Sequence, residues 1–565
     1  MDRNLLLAFA LAFLVLMLWS VYQRGAAPPL TPERSSTPEV TQEDKEESSS
    51  PLLPQDPADS AGDAERDAPP KQSSSKVVPA EPEKLVRISL PLYEAELSSR
   101  GAGITRWWLT KYRTSRSTDS PPVTLTTLDP TREVGLATPF LELNLGDLSL
   151  ADFRVEQPDP LQVVFTIERG NVVLRKIYHF SRDSYIGKLR IEIDNRSDDL
   201  VRTSFEVVWP GRASEAGGEM EHGLAVLHTG SVKREPWVTP GFLACGRGGG
   251  AKEERQFSGE VDWIGEEQRY FIAAVLPELP REAVGRFVPN QGGHSGSAVL
   301  AYRPVPVPPG QVADREYRFY IGPKEHEQLV AAGGSLENAI NLGWSWVAPL
   351  TRFFGWLLRT FHTVIPNYGV AIILITLMVR VVTAPLTAKQ MRSMKKMGEL
   401  QPKIKELQEK YKDDRQRQSQ EMMSLYKQTG VNPLGGCLPM LLQFPVFIGL
   451  YYALQSSIEL RQASFVAWID DLSVPETLFV IPGVELPFRV LPILMGLSMI
   501  AQQRMTPSTM DPAQAKMMMT VMPVMFTLLF YQFPSGLVLY WLVSNILAIS
   551  HQVLVNRGSR KKTIA

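Results

Sequence analysis

The run at residues 368–387, YGVAIILITLMVRVVTAPLT, holds one charge, Arg380, and no carboxylate to neutralise it. A stretch of about 20 apolar residues is long enough to cross a bilayer, and a cation near its middle costs on the order of 2.5–3.5 kcal/mol. Such a residue faces a protein interior or a wet cavity, unless it snorkels to the headgroups. Snorkelling is open to Arg380, because Leu386 lies roughly 9 Å further along a helix. On this run alone both readings stand.

Five more segments share the apolar character: residues 5–22, 434–457, 490–503, 517–532 and 537–555. Residues 5–22 carry no charge, and bulky Trp19, Tyr22, Gln23 and Arg24 make a poor cleavage region before Gly25-Ala-Ala27. An uncleaved signal anchor over 1–24 is expected rather than a removed leader. Pro439, Pro445, Pro492 and Pro523 lie within the later spans. Each frees a helix carbonyl that neighbours or water must satisfy.

The chain has 565 residues and a net charge of −1, which excludes a generally nucleic-acid-binding surface. Residues 25–84 are rich in Ser, Pro, Asp and Glu, the composition of a disordered linker. Residues 85–335 alternate instead, in runs such as LVRISL, QVVFTI, VLRKIYHF and EYRFYI separated by turn residues. Period-two patterning of this kind predicts a large antiparallel β-sandwich. Residues 336–366 turn helical, with Leu350, Phe353, Phe354, Leu357 and Phe361 on one stripe beside Trp344, Trp346 and Trp356. Aromatic and basic content there suits a helix lying in the headgroup layer.

Basic residues set the orientation. Residues 389–427 hold eleven Lys and Arg, and the tail RGSRKK from Arg557 holds four with no acid. Residues 461–487 hold one basic residue against Asp470, Asp471, Glu476 and Glu485. The positive-inside rule puts the basic loop, the tail and, after six spans, the amino terminus in the cytoplasm. The β-domain is then extracytoplasmic, and residues 367–558 form a five-span core before the basic tail at 559–565.

Within the core, a helical hairpin is expected over 388–430. Leu400, Ile404, Leu407 and Tyr411 step by three or four, a turn falls at Asp413-Asp414, and Met422, Met423 and Tyr426 lie on a second arm. Sixteen of the nineteen methionines lie from Met378 onward, and methionine-rich surfaces accept varied apolar partners. No catalytic or metal signature stands out. His222 and His228 are too widely spaced for a helical metal pair, and Gly246-RGGG lacks the context of a phosphate loop. Cys245 and Cys437 make no disulfide framework, and no cofactor is expected. Spans two to six contain no Asp or Glu in their cores, which weakens an ion-coupled transporter reading. Their polar residues are Arg380 and the neutral Thr376, Gln443, Gln455, Gln502, Gln503, Thr527, Ser544 and Asn545, enough to wet a shallow cavity.

The runs VNPLGGCLPMLLQFPVFIGLYYAL from Val431 and FPSGLVLYWLVSN from Phe533, with VRVVTAPLT around Arg380 and LQPKIKELQEKY from Leu400, resemble the YidC/Oxa/Alb family of membrane protein insertases. The order of anchor, linker, β-domain and five-span core is similar to the Gram-negative form. The resemblance implies a hydrophilic groove open to cytoplasm and lipid, with Arg380 and Thr376 inside it. Gln443, Phe444 and Pro445 match a substrate-contact stretch, and Thr527 is assigned to the same groove. Trp541 stands where a tyrosine is often found, which keeps an aromatic contact and removes a hydroxyl. Implied partners are nascent membrane proteins, SecYEG and SecDF translocon components, the ribosome through the hairpin and basic tail, and inner-membrane lipids. The β-domain resembles a supersandwich similar to sugar mutarotases, and fold alone is no warrant for sugar chemistry. A small-molecule transporter and a carbohydrate-active β-domain are the rival readings.

Overall fold

The computed structural model describes residues 82–563 except 118, 213–222, 237–252, 291–294, 413, 430–437, 484 and 506–511. The expected anchor, nearly all of the linker, His222, Cys245, the Gly246 cluster and Cys437 lie outside the described residues.

Alternation builds the first domain. Strand Ile186–Asn195 points Leu189, Ile191 and Ile193 inward and leaves Lys188 and Arg190 exposed, as the period of two requires. It lies inside a nine-stranded antiparallel sheet that runs from Ser231–Pro236 at one edge to Arg154–Asp159 at the other. Two four-stranded sheets share one apolar core with it. Trp107, fully buried, stacks on Tyr93 at 4.2 Å and meets Phe319 of the broad sheet edge-on at 6.4 Å. Aromatic contacts of this geometry add about 0.5–1.5 kcal/mol to the area they bury.

A lysine lies within that core. Lys176 is fully buried, donating from Nζ to Leu136 O at 2.7 Å and Gly101 O at 3.3 Å. Burial holds its pKa well below the usual lysine value. The unfolded chain therefore binds a proton that the folded one resists, and the cost grows as pH falls below the ordinary lysine range. Lys176→Met removes this dependence. The stability of wild type relative to the variant should decline steadily from pH 10 towards pH 7, read by amide exchange in strand Val172–His179. A pH-independent difference would contradict a neutral buried amine.

After the strands come helices α1 (His326–Ala332), α2 (Ala348–Val364), α3 (Tyr368–Glu399), α4 (Gln401–Lys410), α5 (Arg415–Thr429), α6 (Leu438–Ser456), α7 (Val490–Met505), α8 (Pro512–Phe530) and α9 (Ser535–Thr563). Residues 336–347, expected to be helical, form only a short 3-10 turn at Leu336–Ala339 before α2. Gly343 sits there at a φ of +79°, and a Cβ on it would lie 2.4 Å from Tyr452, so the chain turns tightly against α6. In α2, Phe354, Leu357 and Leu358 are buried, whereas Trp356, Arg352 and Arg359 are exposed, as are Trp346 just before the helix and Phe353, which the spacing places on the buried stripe.

Helix α3 starts where Asn367 accepts the Val370 N–H at 3.1 Å, and it passes through Pro385 without ending. Its 32 residues rise roughly 48 Å, well beyond the hydrocarbon thickness. Met391 and Met397 thus belong to α3 and not to a separate hairpin arm. The break comes at Leu400, whose N–H is shared by three carbonyls of the last turn, with Pro402 at the start of α4. Proline fits a first turn because that turn needs no N–H donor.

Helix α9 packs against α3 and α7, α8 against α7, and α2 against α3 and α6. Among the described residues, Tyr368–Lys389 and Ser535–Leu554 are long and apolar enough to cross a membrane, and Met519–Phe530 is a shorter apolar stretch. The β-domain meets α6 through Arg269, which donates to Gln455 O at the helix end, and meets the segment between α6 and α7 through Arg116, 3.4 Å from Asp470.

Candidate functional site

Tyr540 and Ser544 lie one turn apart on α9 and therefore on one face. The Ser544 hydroxyl accepts from Arg380 Nε at 3.1 Å and from Nη2 at 2.5 Å. The Tyr540 hydroxyl accepts from Gln443 Nε2 at 2.5 Å. Two hydrogen-bonded pairs on that face thus tie α9 to α3 through Arg380 and to α6 through Gln443. Ser544 and Tyr540 are buried, whereas Arg380, Gln443, Phe444 and Pro445 are half-buried. The guanidinium turns towards α9, the inward course of the two left open by the sequence.

Hydroxyls solvate a cation and cannot neutralise it. Arg380 has no carboxylate partner among the described residues, and Ser544 takes only two of its N–H groups. A half-buried guanidinium in this state attracts water or an anion, and its pull on an anion strengthens as the local dielectric falls.

The other expected site residues are placed differently. Thr376 is fully buried one turn before Arg380, and its hydroxyl donates to Ile372 O at 2.7 Å. Thr527 donates to Pro523 O at 2.7 Å and faces α7, where a Cβ on Gly496 would lie 2.1 Å from its oxygen. Only glycine at 496 lets those helices approach so closely. Trp541 joins an aromatic cluster, its ring centroid 4.9 Å from Phe447, 5.0 Å from Phe530 and 5.9 Å from Phe526. Its neighbour Tyr540 supplies the hydroxyl that holds Gln443. Tyr540 was not expected there, although its spacing of four from Ser544 was a readable signal. Ser498 was also missed: its hydroxyl accepts from Asn545 Nδ2 at 2.9 Å and ties α7 to α9.

One end of the bundle is covered by residues 457–489. Ile458, Leu460, Ile469 and Leu472 are buried there, and Ser535 and Gly536 at the start of α9 donate to Val474 O and Leu472 O. The buried Glu476 carboxylate accepts from the Leu491 N–H at 2.8 Å and from Trp468 Nε1 at 2.8 Å. An anion at the amino end of α7 is favoured by the helix dipole.

Beyond the other end of α3 lie α4 and α5. Ile404 is buried, Leu400, Leu407, Tyr411 and Met422 are half-buried, and Met423 is 52% exposed. Gln418 donates to Gln408 O at 3.2 Å, and the Arg417 guanidinium lies 5.6 Å from the Tyr411 ring.

Apolar helices gathered around a half-buried, carboxylate-free cation, with a β-sheet domain attached, define a helical membrane protein. Residues 360–562 match the family model described as 60Kd inner membrane protein, and residues 85–357 match the YidC periplasmic domain. A curated membrane protein insertase YidC of Syntrophus aciditrophicus is 34% identical, covering 99% of this chain and 100% of that one. Its counterpart from Geobacter sulfurreducens is 37% identical over 83% of this chain and 86% of that one. An active YidC insertase crystal structure with the first transmembrane domain resolved is 18% identical, with a TM-score of 0.35, covering 84% of this chain and 94% of that one. A galactose mutarotase related enzyme from Lactobacillus acidophilus is 11% identical with a TM-score of 0.30, over 42% of this chain and 97% of that one. The chain belongs to the YidC family of membrane protein insertases, with a β-sheet-rich periplasmic domain within the match at 85–357.

Proposed function

We propose that this protein inserts integral proteins into the bacterial inner membrane and helps them fold, alone or with the Sec translocon. The observation that carries the mechanism is the half-buried Arg380, held by Ser544 and facing no carboxylate among the described residues. The acidic residues of a guest's translocated segment are its missing counter-ions. Gln443, Phe444, Pro445, Tyr540 and Ser544 form the polar and apolar wall beside it, while Thr376, Thr527 and Trp541 set the packing of the helices that carry the wall.

The groove is open to cytoplasm and lipid, and the covering segment 457–489 closes it on the periplasmic side. Six spans place both termini in the cytoplasm, with α4 and α5 as the hairpin that receives nascent chains and, with the basic tail, the ribosome. SecYEG and SecDF join on larger substrates. A hydrated groove thins the hydrocarbon that a polar segment must cross. A shorter hydrocarbon path lowers the cost of passing a polar segment, and release follows when the guest's apolar segment partitions into lipid. This scheme makes no covalent bond and uses no cofactor.

Purified full-length protein in liposomes should insert a small single-span substrate without nucleotide, scored by protection of its translocated tail from protease. Solute flux through the same vesicles without any substrate insertion would favour a transporter instead.

A further inference from the structure

Within the covering segment, Phe479–Ile481 and Leu486–Phe488 form a two-stranded antiparallel hairpin in which Phe479 faces Phe488 and Val480 faces Pro487. Both of its faces are apolar and open: Leu478, Phe479, Val480 and Leu486 are 44%, 49%, 53% and 49% exposed. From Leu478 to Phe488 the only charge is Glu485, at the turn. An isolated two-stranded ribbon is marginal in water, and apolar surface on both faces makes it worse.

The base of the hairpin is fixed. Tyr531, just past the end of α8, donates its hydroxyl to Pro487 O, and Arg489 donates to Tyr531 O with its guanidinium 5.0 Å from the Tyr531 ring. The next residue, Val490, begins α7, on which Leu494 and Leu497 are exposed. The open apolar surface of the hairpin therefore continues into that of a helix read as membrane-spanning.

We propose that the hairpin at 478–488 is a lipid-binding wedge that dips into the outer leaflet, with Arg489 and Tyr531 anchoring it at the headgroup level. Three-residue strands reach about 10 Å, the depth of the boundary between headgroups and acyl chains. This rests on the reading of α7 as a span, and the test separates the two.

Nitroxide labels are placed singly at Val480→Cys, Leu497→Cys and Leu200→Cys of the full chain, after Cys245→Ser and Cys437→Ser. The protein is reconstituted in phosphatidylethanolamine and phosphatidylglycerol vesicles. Leu497 is 58% exposed on α7 and Leu200 is 53% exposed on the β-domain, so both serve as references. The label at 480 should collide preferentially with oxygen, as at 497, whereas the label at 200 should collide preferentially with a water-soluble nickel chelate. A label at 480 that behaves like the one at 200 overturns the wedge while leaving the span at 497 intact. Shielding at 480 from both reagents, the mark of a second copy covering the hairpin, also overturns it. A nickel-accessible label at 497 would reject the span itself and the wedge with it.

Discussion

Arg380→Ala should lower insertion of substrates with strongly acidic translocated tails by about tenfold, ~1.4 kcal/mol, and leave neutral-tailed substrates nearly unaffected. Two unit charges 4 Å apart at an effective dielectric of 20 attract by about 4 kcal/mol, and hydration of both partners in a wet groove removes much of that. The variant keeps the Gln443–Tyr540 bond between α6 and α9, so the loss is electrostatic and not a collapse of the bundle. Arg380→Lys retains the charge and one donor for Ser544, and most of the activity with it. The two nitrogens that now converge on that hydroxyl become one, so a small residual loss is expected. Insertion is compared between wild type and variants over a series of tails differing only in the number of Asp and Glu. A deficit that is the same at every tail charge would reject attraction as the role of Arg380.

Removing residues 400–428, with a short glycine linker in their place, should reduce nascent-chain crosslinks and insertion by about tenfold, ~1.4 kcal/mol of lost capture. The cut begins just after α3 ends at Glu399, so the helix that bears Arg380 keeps its full length. The deleted segment carries Lys403, Lys405, Lys410 and Arg417 on its exposed side, together with the exposed Met423. These features offer a charged approach and an adaptable apolar contact for an emerging span. Crosslinks and insertion that persist at equal protein levels would remove α4 and α5 from the capture step.

Much of this architecture was legible because burial imposes a period. Alternation at two marked strands such as Ile186–Asn195, and the stripe of α2 picked out buried Phe354 and Leu357 but also Phe353, which is exposed. Arg380 stood out because a charge in an apolar run has few explanations. What the sequence left hidden is set between helices. Trp541 and Tyr540 are neighbours in the chain, yet one turns into the Phe447, Phe526 and Phe530 cluster and the other onto Gln443. Nothing in their local composition decides which does so, because the rotation of α9 is fixed by its packing on α3 and α7. The end of α3 was misplaced for a similar reason. Apolar spacing is helical on both sides of Leu400, with Met391, Met394 and Met397 before it and Ile404, Leu407 and Tyr411 after it, and Pro402 alone hints at the break. The apolar hairpin at 478–488 was hidden by its shortness, since three-residue strands carry too little pattern to be seen.

The most direct test of a substrate-receiving groove is site-specific photo-crosslinking from position 443 while purified protein inserts an acidic-tailed substrate into liposomes. An adduct with the translocating tail should form at 443, and it should fall in parallel with insertion when Arg380→Ala is introduced. Full insertion with no adduct at 443, while a lipid-facing position such as 497 crosslinks instead, would contradict passage beside Arg380.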